Sequence, residues 1–214
     1  QLRYVGLHVP VGRLTVAQLE GLADLADTHG RGELRLTVGQ NVIVPHVEAS
    51  RVAALLEEPL LQALTPTPSD VWRGLAVCTG IDYCHFALIE TKDLAHKTAD
   101  YLAAALPRDR RFTTHWSGCP AGCGNHAMAD IGLLGKNIRV NNEIVDAVDV
   151  FIGGSAGPHP RAGTRVLEDV PCADLPMVLE RLVPFITGKR PSARTAAPAA
   201  PVDPAIQGST HGRA

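Results

Sequence analysis

Four of the five cysteines fall into two pairs, Cys78-Thr-Gly-Ile-Asp-Tyr-Cys84 and Cys119-Pro-Ala-Gly-Cys123. No other feature limits so strongly what this chain can fold around. Both pairs follow strand-like runs, Gly74 to Val77 and Phe112 to Trp116, and a helical stretch lies between them. A helix that returns the chain to the same sheet edge brings the pairs together. Gly80, Gly118, Gly122 and Gly124 flank the cysteines, so the backbone can approach a large inorganic core and leave amides free to point at sulfur. Four thiolates are the ligand set of a cubane, one for each iron. Structural zinc sites favour two to four intervening residues, and the five inside the first pair fit zinc poorly. A thioredoxin-type redox pair has two. Four unrelated buried thiols also stay open, because free cysteine is a common core residue. The spacing favours a [4Fe–4S] cluster with Cys78, Cys84, Cys119 and Cys123 as metal ligands.

The rest of the composition narrows the setting. With 214 residues, 45% of them hydrophobic, the chain can bury one good core or two small ones. A net charge of −2 gives no electrostatic reason to expect a nucleic-acid partner or an anionic membrane. No apolar run approaches the roughly 20 residues of a membrane span. An odd cysteine count without a secretory pattern argues for reduced thiols or metal ligands, as in a cytoplasmic protein. Gln1 opens directly into strand-like sequence, which suggests a fragment of a longer chain.

Periodicity divides the chain into an α+β arrangement. Residues 1–66 read β-α-β-β-α. Val5, Leu7 and Val9 alternate as in a half-buried strand. Thr15 and Gln18 form a capping-box pattern before a helical stripe of Leu19, Leu22, Ala23 and Ala26, with Gly30 at its end. Leu34, Leu36 and Val38 alternate again, Val42 to Val44 is a short strand, and residues 48–57 look helical. Pro66 and Pro68 mark a boundary. Residues 70–190 form the second unit, with a helix carrying Leu88, Ala95, Ala99, Leu102 and Leu106 and closed by Pro107. Strands follow at Ile131 to Leu134, Ile138 to Val140 and, after an Asn141-Asn142 turn, Ile144 to Ile152. A last helix carries Leu175, Val178, Leu179, Leu182 and Ile186, with Pro184 expected to kink or shorten it. Residues 191–214, rich in Pro, Ala, Ser and Thr, read as a disordered tail.

The residues around the cysteines resemble the siroheme-binding segment of nitrite and sulfite reductases. The likeness rests on Cys78-Thr-Gly-Ile-Asp-Tyr-Cys84 continuing to Ile89-Glu-Thr-Lys92, on Ser117-Gly-Cys-Pro-Ala-Gly-Cys-Gly124, and on Ala129-Asp-Ile-Gly132. Gly32 to Pro45 similarly resembles the family's ferredoxin-like half-domain. The resemblance runs from about Leu7 to about Ile186 and excludes the tail.

That resemblance implies a ferredoxin-like half-domain followed by a mixed-sheet domain holding siroheme beside the [4Fe–4S] cluster. By motif position, Cys123 bridges cluster and siroheme iron. Gln40 and Asn41 lie near siroheme in relatives, although a polar turn explains them equally well. The implied reaction is the six-electron reduction of nitrite to ammonium, with ferredoxin as electron donor. The first cysteine motif looks more like the ferredoxin-dependent nitrite reductases than the relatives that reduce sulfite to sulfide. Many relatives have Asn where this chain has Ala121, which removes a polar group beside the cluster but no ligand. No basic motif stands near the cysteines. The resemblance therefore implies that the Arg and Lys side chains for the anion, and with them the catalytic residues, belong to an N-terminal half of the same enzyme.

Other classes make different demands. A cluster-only electron carrier binds iron and sulfide but no siroheme, and a zinc-stabilised module is colourless. His115 and His126 read as packing or hydrogen-bonding residues, since four cysteines complete a cluster. Cys172 reads as a structural thiol. Asp82 and Tyr83 are either neighbours of the cluster or exposed loop residues.

Overall fold

The computed structural model describes residues 1–107 and 111–188. The tail expected over residues 191–214 lies outside the described residues.

The first layer is a three-stranded antiparallel sheet in the order β1-β3-β2, formed by β1 (Leu2–Leu7), β2 (Arg35–Leu36) and β3 (Val42–Glu48). Helix α1 (Val16–His29) crosses it, and the short α2 (Val52–Leu56) closes the unit. Thr15 accepts from the backbone N–H of Gln18 while the Gln18 side chain takes the Thr15 N–H, completing the capping box. Such a cap is worth about 1 kcal/mol. The buried stripe of α1 is Leu22, Leu25, Ala26 and His29, so the expected register of Leu19 and Ala23 is corrected; both are exposed. The i, i+3, i+4, i+7 spacing of the observed stripe is the one that fits flat against the sheet. Leu22, Leu55 and Leu64 are wholly buried with Val5, Leu7, Val9 and Val44 in this core, each large side chain contributing roughly 1.5–3 kcal/mol.

The second layer is a five-stranded mixed sheet in the order β4-β5-β6-β7-β8. Strands β4 (Leu75–Val77), β5 (Thr114–Ser117) and β6 (Ile131–Val140) are parallel. Strands β7 (Glu143–Ile152) and β8 (Thr164–Pro171) run antiparallel to their neighbours. The short α3 (Asp70–Arg73) leads into β4, and α4 (Lys92–Ala105) connects β4 to β5, as parallel strands require. Helix α5 (Leu175–Thr187) packs with α4 over a core containing Val77, Ile89, Leu102, Trp116, Ile131, Leu133, Val148 and Leu179. Val11 of the first unit also belongs to this second core.

Several local expectations are corrected here. The alternation of Leu34, Leu36 and Val38 yields only the two-residue β2, and Leu36 and Val38 are fully exposed, so no core enforces a longer strand. Leu88 lies ahead of α4, not on its apolar face; its N–H donates to the Gly118 carbonyl at 2.8 Å. The two strands expected from 131 to 140 are one. Gly135 does not break it: an added Cβ there would stand 2.6 Å from Ile89, so the glycine admits a close approach. Asn141 and Asn142 both have positive φ, as a tight two-residue hairpin turn demands. Pro184 sits inside α5, which continues to Thr187. Strand β8 has six exposed residues in a row and no alternation to announce it.

Three buried or half-buried histidines set an acid limit on this fold. Burial holds the rings of His8, His115 and His126 below the ordinary histidine value of 6.5, with Arg73 adding repulsion at His8. The unfolded chain therefore binds more protons near pH 6, and stability is full above about 6.5 and lost as pH falls below it. The urea midpoint is expected to drop between pH of about 7.5 and about 5.5 at constant m value; an unchanged midpoint contradicts this reading.

Candidate metal and cofactor site

Both cysteine pairs start at the C-terminal ends of adjacent parallel strands. Val77 stands opposite Trp116 in the β4–β5 ladder, and the Cys78 N–H donates to the Trp116 carbonyl at 3.0 Å. Two residues beyond Trp116, the Gly118 N–H donates to Cys78 Sγ at 3.1 Å. The strand pairing that builds the sheet thus brings the start of the first pair against the start of the second.

Each pair then turns back on itself. In the first, the Cys84 N–H bonds the Gly80 carbonyl at 3.1 Å, closing a single helical turn. Gly80 has φ +74°, and Thr91 Oγ1 lies 2.5 Å from where its Cβ would be. Thr91, fully buried, donates its hydroxyl to the Cys78 carbonyl at 2.8 Å. In the second pair, the Gly122 N–H bonds the Cys119 carbonyl at 3.2 Å, with Gly122 at φ +72°. Gly124 passes so close to β5 that a Cβ on it would lie 1.8 Å from the Trp116 carbonyl oxygen.

The four thiols differ in access. None of the five cysteines is in a disulfide; Cys119 is buried, Cys78 and Cys84 are half-buried, and Cys123 is exposed. Around the first pair, Ile81, Tyr83, Phe86 and Leu88 present apolar surface to the outside. Among the described residues no three His, Cys, Asp or Glu side chains could hold a single metal ion together; a cubane spreads its thiolates over four irons, one thiolate to each.

Gln40 and Asn41 are fully engaged with backbone. The Gln40 amide faces Val77 on the free edge of β4: its Oε1 accepts the Val77 N–H at 3.1 Å and its Nε2 donates to the Val77 carbonyl at 2.7 Å. Asn41 accepts the Val9 N–H at 2.9 Å and donates to the Gly39 carbonyl at 2.9 Å. His115 contacts the Asn125 carbonyl, and His126 meets Ser117 Oγ at 3.0 Å and the edge of Phe151. Asp82 pairs with Arg13 at 2.8 Å, while Tyr83 stays exposed. Ala121 is exposed on the turn of the second pair.

Two basic residues had no visible site role in the linear sequence. Arg13 bridges Asp82 and Asp93. Lys92 is 6% exposed, and its Nζ donates to the carbonyls of Val11 and, at 2.9 Å, Val77. Burial and the nearby Arg13 push its pKa down to about 8. The Ile89-Glu-Thr-Lys92 motif contains the letter, but nothing local to it shows that the side chain turns back under Cys78.

Cys172 lies outside both turns, buried in the second core just before α5, with its N–H bonded to the Asp146 carbonyl. Burial pushes its thiol pKa up to about 12, so it stays protonated and is a poor metal ligand. Cys172→Ser is expected to leave the iron content unchanged; loss of iron in that variant contradicts its exclusion from the site.

Two thiol pairs thus stand at the C-terminal ends of adjacent parallel strands of the mixed sheet, beside the antiparallel three-stranded unit. Residues 1–62 match the nitrite/sulfite reductase ferredoxin-like half domain, and residues 69–195 match the nitrite and sulphite reductase 4Fe-4S domain. The chain belongs to the nitrite and sulfite reductase family. It is 49% identical over 182 residues to the ferredoxin–nitrite reductase of Synechococcus elongatus, covering 85% of this chain and 36% of that one. It is 47% identical over 186 residues to the chloroplastic ferredoxin–nitrite reductase of Zea mays, covering 85% and 33%. The NirA protein of Mycobacterium tuberculosis shares the fold with a TM-score of 0.81 at 27% identity, over 90% of this chain and 37% of that structure. The chain thus spans about a third of the length of these relatives. Family membership implies a [4Fe–4S] cluster and siroheme. The donor set fits: four free cysteines on two turns at the ends of adjacent strands, an amide already directed at Cys78 Sγ, and one exposed residue, Cys123, accessible to a further group. Among the described residues no helix is long and apolar enough to cross a membrane.

Proposed function

We propose that this chain is the cluster-bearing part of a siroheme-containing, ferredoxin-dependent nitrite reductase, with Cys78, Cys84, Cys119 and Cys123 holding a [4Fe–4S] cluster and Cys123 bridging to siroheme. The observation that carries the reading is the pairing of Val77 with Trp116, which sets Cys78 beside Gly118 at one sheet edge. Cluster and siroheme together supply the electron transfer for reducing nitrite to ammonium.

This chain's own residues hold and shield that chemistry. Cys119 is buried and anchors the second turn, while the exposed Cys123 would be the thiol that meets the tetrapyrrole. The Gly118 amide supports negative charge on Cys78 Sγ, as hydrogen bonds to cluster sulfurs do. Ile81, Tyr83, Phe86 and Leu88 supply apolar surface for a flat macrocycle or for the rest of the enzyme. Gln40 fixes the β4 edge from which Cys78 departs.

The proposal divides the chain into a half-domain over 1–66 and a cluster domain over 70–190, supported by two largely separate cores. It assigns ferredoxin as donor and nitrite as substrate, because the ferredoxin–nitrite reductases named above are its relatives, and a cytoplasmic setting on the strength of its unpaired cysteines. Sulfite reduction is the less favoured substrate reading, and a cluster-only carrier would use Cys123 as a ligand but gives no reason for its exposure. The anion-binding Arg and Lys residues are assigned to an N-terminal half of the enzyme, so residues 1–214 alone are not expected to turn over nitrite.

The test is reconstitution with iron, sulfide and siroheme, read as a visible spectrum. A retained siroheme band that disappears in Cys123→Ser supports the bridge. A band that survives the substitution, or appreciable nitrite reduction by residues 1–214 alone, sinks the respective part of the proposal.

A further inference from the structure

We infer that Lys92 is the fixed counter-charge of the cluster, an ammonium held one residue from Cys78 that raises the cluster's reduction potential. The inference rests on the four-cysteine cluster proposed above.

The geometry is unusual in three respects. First, the Lys92 ammonium is buried between two carbonyls, those of Val11 and Val77, and no carboxylate among the described residues is paired with it. An unpaired buried charge costs several kcal/mol, so such a group persists only where a compensating negative charge arrives. Of the negative groups acting on Lys92, Glu90 is already engaged in accepting the N–H groups of Asp93 and Leu94 at the start of α4. The other is Cys78.

Second, the fold accepts strain to build this seat. Val11 has φ +50° and Gln40 has φ +61°. A β-branched residue in that region is a genuine outlier, and each such position costs of order 1–3 kcal/mol. Both converge on Val77: Val11 shares the Lys92 ammonium with it, and Gln40 brackets its N–H and carbonyl. Gly12 is needed for the same purpose, because a Cβ there would meet Gln40 Cβ at 2.7 Å.

Third, the charge acts across a dry path. Val77 is fully buried and Cys78 half-buried, so little water screens Lys92 from the thiolate. A cluster held by four thiolates is anionic and gains one further negative charge on reduction. A nearby fixed cation therefore favours the reduced state more than the oxidised one. Both hydrogen bonds of Lys92 go to backbone carbonyls, so its role is to set the potential through Val77 and Cys78.

The experiment is a dye-mediated redox titration of the cluster-loaded full chain, with iron and acid-labile sulfide counted in every sample. Lys92→Gln keeps a donor for the carbonyls and removes the charge. Its equilibrium constant for cluster reduction is expected to fall about tenfold, which is about 59 mV for one electron. Lys92→Arg keeps the charge and is expected to stay with the parent chain. Gln40→Glu gives up the donor to the Val77 carbonyl and places a carboxylate where it can pair with the ammonium that bonds the same carbonyl, and is expected to lower the potential as Lys92→Gln does. A full cluster with an unchanged potential in Lys92→Gln overturns the inference and leaves the four-cysteine reading intact. If Lys92→Gln retains no cluster, an unchanged potential in Gln40→Glu overturns it instead. A parent chain without labile sulfide removes the underlying reading and the inference together.

Discussion

Cys78→Ser, Cys84→Ser and Cys119→Ser are each expected to abolish the iron–sulfur chromophore and to leave less than about a tenth of the parent's iron and labile sulfide. A cubane needs one thiolate per iron, and the harder serine oxygen is a poor substitute for a soft sulfur ligand. The effect should be largest at Cys119, which is buried and therefore hardest to replace with water. Cys123→Ser is expected to lose the siroheme coupling as well as the cluster, because its sulfur is the exposed one. Cys172→Ser serves as the internal control, its thiol being buried and held protonated. Chemical iron and sulfide analysis of the five variants checks the set. Retention of a full cluster in Cys78→Ser or Cys119→Ser contradicts the ligand assignment.

Gly124→Ala is the second large effect, although it removes no ligand. A Cβ at this position would lie 1.8 Å from the Trp116 carbonyl oxygen and 2.5 Å from its carbon. That carbonyl already accepts the Cys78 N–H, so it cannot move without disturbing the first pair. The second turn must therefore lift off β5, which separates Cys119 and Cys123 from Cys78. A substitution that forces backbone apart in this way belongs to the tail of mutational effects, above about 3 kcal/mol. A lowered unfolding midpoint together with loss of the cluster chromophore is expected. Gly153→Ala is a useful comparison: its φ of +79° disfavours a side chain, but no atom within 4 Å obstructs a Cβ. It is expected to cost less and to leave the cluster in place. A Gly124→Ala chain as stable as the parent contradicts the close-approach account.

The two cysteine pairs were legible as a candidate cluster site because residue type, spacing and neighbouring glycines are all local. The helix start at Thr15 and the Asn141-Asn142 turn were legible for the same reason: each satisfies its own backbone within a few residues. Register was less so. On α1 two overlapping apolar stripes compete in the sequence, and only packing against β3 selects Leu22, Leu25 and Ala26 over Leu19 and Ala23. The exposed β8 had no pattern to read, and Leu36 and Val38 had a pattern with nothing to pack against. Gln40 and Lys92 show the limit most clearly. Both act on Val77, from 37 and 15 residues away, through side-chain contacts to backbone that leave no trace in periodicity or composition.

The central claim, that the two cysteine pairs hold one [4Fe–4S] cluster, is tested most directly by counting iron and acid-labile sulfide in the anaerobically reconstituted chain. About four of each per chain are expected, one iron for each thiolate. Zinc in place of iron, or iron without labile sulfide, contradicts the claim.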